Sequence, residues 1–243
     1  MKKIILAASF AMLMAFSGCE TAQQVLSSLP TDANNGGLTT QQIVAGLKEA
    51  LTVGTQNGTN QLSAVDGFFK NAAVKILMPP EAQKVVSTLQ SVGLGSVVDK
   101  AVLSMNRAAE DAAKSATPIF VNAIKQMTIT DALGILKGGN QAATNYFKNK
   151  TTRALTAAFS PIVNKALQQT DATKYWNDVF TVYNQFSTNK VNTNLNAYVT
   201  SKAIDGIFYE VGQEEAKIRQ DPAARVTDIL KKVFGSSLAT SGS

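Results

Sequence analysis

From Leu38 to Gly235 the apolar residues of this chain recur at intervals of three and four, and nowhere do they alternate for long with polar ones. A period near 3.6 lays a stripe along one face of a helix, whereas a half-buried strand needs a period of two. Val98, Ala101, Val102, Met105, Ala108, Ala109 and Ala112 make one such stripe, and Ile43, Val44, Leu47 and Leu51 make another. The pattern predicts an all-α fold, a single-domain multi-helix bundle over residues 38–235. No unit of roughly 20–50 residues repeats, which sets a solenoid aside. Of the 243 residues 45% are hydrophobic, enough to bury one large core.

Gly, Pro and capping residues divide the pattern. Thr39 or Thr40 caps the first helix, and the Gly- and Asn-rich run from Gly54 to Asn60 is expected to break or fray it. Val74 to Met78 ends at Pro79-Pro80, and because the residue before proline disfavours helix, an extended segment is expected there. Glu81 opens a helix to about Val92. Pro118 and Pro161 fall inside helical patterns and are expected to kink or interrupt two helices, since proline lacks an amide donor and crowds the preceding turn. Thr130-Asp131 precedes a short helix, Ala132 to Lys137, closed by Gly138-Gly139. Tyr175, Trp176, Val179, Phe180, Tyr183 and Phe186 form the densest aromatic stripe. Leu195 to Ile218 carries the penultimate helix, and Asp221-Pro222 offers the last one an N-cap and a first-turn proline.

The N-terminus reads as an address. Lys2 and Lys3 precede an uncharged apolar run from Ile4 to Phe16, then Ser17-Gly18-Cys19. A basic start, a short apolar core and small residues describe a secretory leader too short to span a bilayer. The arrangement resembles the bacterial lipobox, with Phe16 where leucine is usual. That resemblance implies that residues 1–18 are removed and that Cys19 is lipidated. Residues 19–37 then form the lipidated cysteine and a flexible tether, and residues 236–243 a disordered tail. Two or three acyl chains hold a protein firmly to a membrane. The expected location is therefore the bacterial envelope, with Glu20 in place of the aspartate of inner-membrane retention favouring the outer membrane.

Composition removes much chemistry. There is no histidine, so no Ser-His-Asp triad, no Cys-His dyad and no imidazole ligand for a metal. One cysteine leaves no intramolecular disulfide and no CxxC site. A formal charge of +6, two units of which reside in the leader lysines, singles out no partner and gives no reason to expect nucleic acid. No cofactor is expected.

Three stretches carry a family resemblance. They are Met105-Asn106-Arg107-Ala108-Ala109-Glu110; Met127-Thr128 with Asp131-Ala132, Ile135-Leu136 and Ala142 to Phe147; and Tyr198-Val199 through Asp205-Gly206-Ile207-Phe208, Glu214-Glu215, Ile218-Arg219, Asp221-Pro222 and Ala224-Arg225 to Val233-Phe234-Gly235. Together they resemble the bacterial domain-of-unknown-function family 4197, exported helical proteins that often carry a lipobox. The resemblance implies an all-α exported protein and supplies no reaction and no catalytic residues.

Arg107, Glu110, Asp205, Glu210, Glu214 and Asp221 are the candidate polar site. Glu210 and Glu214 share a helix face as like charges, and carboxylates with amide oxygens suit calcium or magnesium. The competing reading is structural. Glu215–Arg219, Asp221–Arg225, Arg107–Asp111 and Glu110–Lys114 have the i,i+4 spacing of opposite-charge pairs. Arg107 has a second option, crossing to the carboxylates between Asp205 and Asp221. Gly138-Gly139-Asn140 before a helix looks like an anion site but suits C-cap glycines better. The aromatic stripe around Trp176 reads as core, with an apolar ligand pocket as the alternative. The function expected is a lipid-anchored envelope protein acting as a non-enzymatic binding or scaffold domain. Its alternatives are a carboxylate-based enzyme, with or without a divalent metal, and a carrier of an apolar ligand.

Overall fold

The computed structural model describes residues 38–235 apart from 171, 189, 191, 192 and 226. The leader, Cys19, the tether and the tail lie outside the described residues, as do the side chains of Tyr175 and Val179. Among the described residues there are nine α-helices and no strand: α1 (Thr40–Ser63), α2 (Gln83–Ser91), α3 (Gly95–Ala113), α4 (Ala116–Gln126), α5 (Ile129–Lys137), α6 (Ala142–Gln168), α7 (Ala172–Phe186), α8 (Leu195–Gln220) and α9 (Asp228–Phe234). The fold is all-α, as the periodicity predicts.

Long helices α1, α3, α6 and α8 pack around one apolar core, which α4, α5 and α9 close. Its centre is aromatic: Phe120 meets Phe147 edge-on at 5.1 Å and Phe208 at 6.2 Å. The alanine stripe of α3 is buried along Ala108, Ala109 and Ala112, and small side chains there let α6 and α8 approach closely. The chain directions matter below. Gly54 of α1 lies against Glu214 and Ile218 of α8, and Gly58 against Glu210, so these two helices are antiparallel. Helices α6 and α8 are antiparallel too, since Thr144 meets Glu215 while Ser160 meets Asn196.

Three local expectations change, and the two prolines behave differently from each other. Helix α1 runs unbroken through Gly54–Asn60: its glycines are where α8 packs closest, and buried Thr55 and Thr59 return their hydroxyls to the carbonyls of Leu51 and Thr55. Helix α5 starts three residues early, because Thr128 and Asp131 form a reciprocal capping box. The last helix begins at Asp228 under a Thr227 cap, while Asp221 and Pro222 lead only into a single 3-10 turn, Pro222–Ala224. The interruption near Pro118 falls between Ala113 and Ala116, as a ring that crowds residue i−4 demands, so the proline sits in the first turn of a new helix. Helix α6 carries Pro161 internally without losing its continuity.

Between α1 and α2 the chain is not helical but is tightly held. It turns at Asp66, whose φ of 69° is left-handed, and then passes Phe68 into the extended stretch before Pro79 that the prolines predict. Gly206 makes room for this segment: a Cβ there would stand 2.5 Å from the ring of Phe68. Among the described residues no single helix is long and apolar enough to cross a membrane. The consecutive pair α4 and α5 has the composition but is bent by 107°.

Candidate functional site

The buried polar groups are the first place to look for chemistry, because burying a charge without a partner is costly. Glu110 is buried on α3. One carboxylate oxygen accepts the backbone amides of Phe68 and Phe69 at 3.1 and 3.2 Å, and the other accepts Arg107 at 2.6 Å. Arg107 reaches on to Asp66 at 2.6 Å, and Lys70 completes the chain of charges at 2.8 Å. Lys70 and Arg107 hold the Asp66 carboxyl below the ordinary carboxylate range, and Glu110 and Asp66 raise the Arg107 guanidinium in return. One turn away, buried Asn106 accepts the amide of Ile76 and donates to its carbonyl, both at 2.8 Å, much as a neighbouring strand would. Tyr198 donates its hydroxyl to the carbonyl of Leu77, and burial pushes its phenol up.

Helix α8 carries the remaining buried carboxylates. Glu210 accepts Asn71 at 2.8 Å, and Glu214 accepts Asn57 at 3.1 Å and pairs with Lys217, whose ammonium it raises. Glu215 accepts the amides of Ala143 and Thr144 at 3.0 and 2.9 Å, and also the Thr144 hydroxyl. The same carboxylate pairs with Arg219 at 2.9 Å, and Arg219 donates to the carbonyl of Ile135 at 2.8 Å. An anion therefore does sit at the start of α6, beyond Gly138-Gly139-Asn140. It is internal, a glutamate seventy residues downstream that caps α6 while its arginine closes α5.

These contacts decide the sequence candidates. Arg107 and Glu110 meet, but in a cluster with Asp66, and Arg107 does not cross to the α8 carboxylates. The i,i+4 pairs at Arg107–Asp111 and Glu110–Lys114 are replaced by i,i+3 pairs Arg107–Glu110 and Asp111–Lys114. Arg225 donates to the carbonyls of Ile218 and Arg219, capping the end of α8, and Asp221 accepts the amide of Ala223. Glu210 and Glu214 face different asparagines, so the repulsion expected of them is answered separately for each. Asp205 is exposed on α8 beside the extended segment. The six candidates thus do not converge, and among the described residues no cluster of three acidic or thiol groups is placed to hold a metal. Asn57 and Asn71 were silent in the sequence, because an asparagine inside a helical or irregular stretch gives no periodic signal; Asn106 stood in the Met105–Glu110 stretch, but nothing there pointed to the backbone of Ile76.

A second feature is apolar. Helices α2 and α3 form a hairpin over the start of α7 and α8 and leave a groove of about 700 Å³. Its floor holds buried Trp176 and Phe180, whose ring centres lie 4.5 Å apart, and its walls include Met78, Val86, Val98 and Met105. Leu94, Val97 and Leu103 expose 47%, 40% and 36% of their surface at its margin. The aromatic stripe is therefore both core and pocket floor. Lys100 is the one ionisable side chain among the lining residues; Ser104 and Thr170 are the polar ones.

Fold and site together define an all-α bundle tied internally by buried carboxylates and carrying an apolar groove. The model of the family described as protein of unknown function (DUF4197) matches residues 37–235, and the chain belongs to that family. No curated protein and no solved structure matches it significantly.

Proposed function

We propose that the chain is a lipid-anchored envelope protein that binds an apolar ligand and performs no reaction. The observation that carries this reading is the fate of the buried carboxylates. Glu110, Glu210, Glu214 and Glu215 each accept hydrogen bonds that fasten one element to another. A general acid–base pair needs a free carboxyl within reach of a substrate proton, and these four are committed to amides, asparagines and arginines. The groove supplies the contrasting surface: concave, apolar, of ligand-site volume, with few polar groups.

The orientation of the helices supports an anchored protein. In α1, Gly46 lies against Ile229 and Val233 of α9 and Gly54 against Ile218 near the end of α8, whereas the groove includes Leu195, where α8 begins. At 1.5 Å per residue these levels are about 35 Å apart. A tether attached at Cys19 would enter at one pole and leave the groove open at the other. Cys19→Ala tests the anchor. The expected outcome is loss of the acylated N-terminal peptide by mass spectrometry and release from the membrane fraction. Membrane association unchanged by the substitution, with no acylated peptide in the parent chain, overturns it.

A further inference from the structure

We infer that the groove between α2 and α3 takes a single-chain anionic amphiphile, its hydrocarbon tail on Trp176 and Phe180 and its head at Lys100. This rests on the binding reading and adds the chemical class of the ligand. Three observations select it. The groove is apolar over most of its lining, including two methionines, Met78 and Met105, whose unbranched side chains adapt to a flexible tail. Its volume of about 700 Å³ falls within the range of small-ligand sites. An amphipathic helix about 10 Å across would instead need an extended trough with polar partners along both rims.

The third observation is charge. Lys100 is exposed, forms no ion pair among the described residues, and no Asp or Glu lines the groove with it. A carboxylate or phosphate head would find a counter-charge at the mouth, while its tail leaves water along the floor. A neutral amphiphile gains only the second of these.

The chain supplies its own reporter, because Trp176 is its single tryptophan and forms part of the floor. The full chain, held in an amphipathic polymer, is titrated with dibromostearate and, separately, with the neutral dibromostearyl alcohol. Bromine quenches indole at contact, so dibromostearate is expected to quench Trp176 saturably at one equivalent, and the alcohol more weakly. Lys100→Glu is expected to weaken dibromostearate roughly tenfold and leave the alcohol unchanged. Ala101→Phe, which fills the groove from α3, is expected to abolish quenching by both while the helical circular dichroism is kept. Equal quenching by the two ligands, unaltered in Lys100→Glu, overturns the assignment of the head and leaves the apolar-ligand reading standing. Unquenched Trp176 with either ligand overturns both, as does self-association that buries Trp176 in place of ligand.

Discussion

Glu215→Ala should be among the most damaging single substitutions in the chain, and the structure says by how much. The carboxylate is 7% exposed and holds two backbone amides at the start of α6, the Thr144 hydroxyl and the Arg219 guanidinium. Removing it leaves the amides of Ala143 and Thr144 without their acceptor, at about 1–3 kcal/mol for each group that stays dry. It also takes the counter-charge from Arg219, whose side chain is only 10% exposed and keeps carbonyl acceptors alone. Truncating one member of a buried pair typically costs about 3–5 kcal/mol, and the two accounts overlap, since water reaching the vacated space relieves both. We expect a loss of about 3–5 kcal/mol, a large part of the ~5–15 kcal/mol that holds a typical domain. Glu215→Gln keeps the shape and one acceptor and should cost clearly less. The measurement is urea unfolding followed by far-ultraviolet circular dichroism, with the midpoint and slope fitted for each variant. A loss below about 1 kcal/mol for Glu215→Ala would refute the claim that this carboxylate caps α6 and supports Arg219.

Two further outcomes follow from the same polar ties. Asn106→Ala removes both hydrogen bonds to Ile76 and should cost about 2–4 kcal/mol, with faster amide exchange at Ile76 before global unfolding; exchange unchanged at that amide would refute it. Asp66 titrates lower in the folded chain than in the unfolded one, because Lys70 and Arg107 favour its charged form. Its contribution is present above the unfolded value near about 3.9 and is lost as pH falls towards the folded one. Asp66→Asn should therefore flatten the acid limb of the stability–pH curve below about pH 4 and change little of its slope above that; a parallel shift at all pH values would contradict the assignment.

The fold was legible because packing face and helical period coincide along most of the chain. Ala108, Ala109, Ala112, Ile207, Val211 and Ile218 are buried as their spacing requires. Boundaries were less legible where tertiary contact outranks local preference. Gly54 and Gly58 read as breakers because glycine weakens an isolated helix. In the fold the missing side chains are what admit α8. The polar site was half legible. Glu110 read as a site candidate and Glu215 only as the partner of Arg219, a pair that forms, but both also hold backbone amides of segments 42 and 72 residues away, which no spacing rule connects. The groove was legible only as an aromatic stripe: Trp176 and Phe180 give its floor, while its walls come from α2 and α3, which helical periodicity treats as ordinary amphipathic helices.

The antiparallel pairing of α1 with α8 bears on when the protein can fold. Asn57 waits for Glu214, 157 residues later, and Gly54 and Gly58 have no neighbour until the same helix arrives. At a synthesis rate of ~5–20 residues per second that interval is about 8–30 s, during which α1 can pack on α3, α4 and α5 but the face carrying Gly54, Asn57 and Gly58 stays uncovered. Contacts of such long range delay folding until the chain is nearly complete. A nascent chain built this way cannot close its core until α8 emerges, a property suited to any polypeptide that must be handed through a narrow passage before it closes.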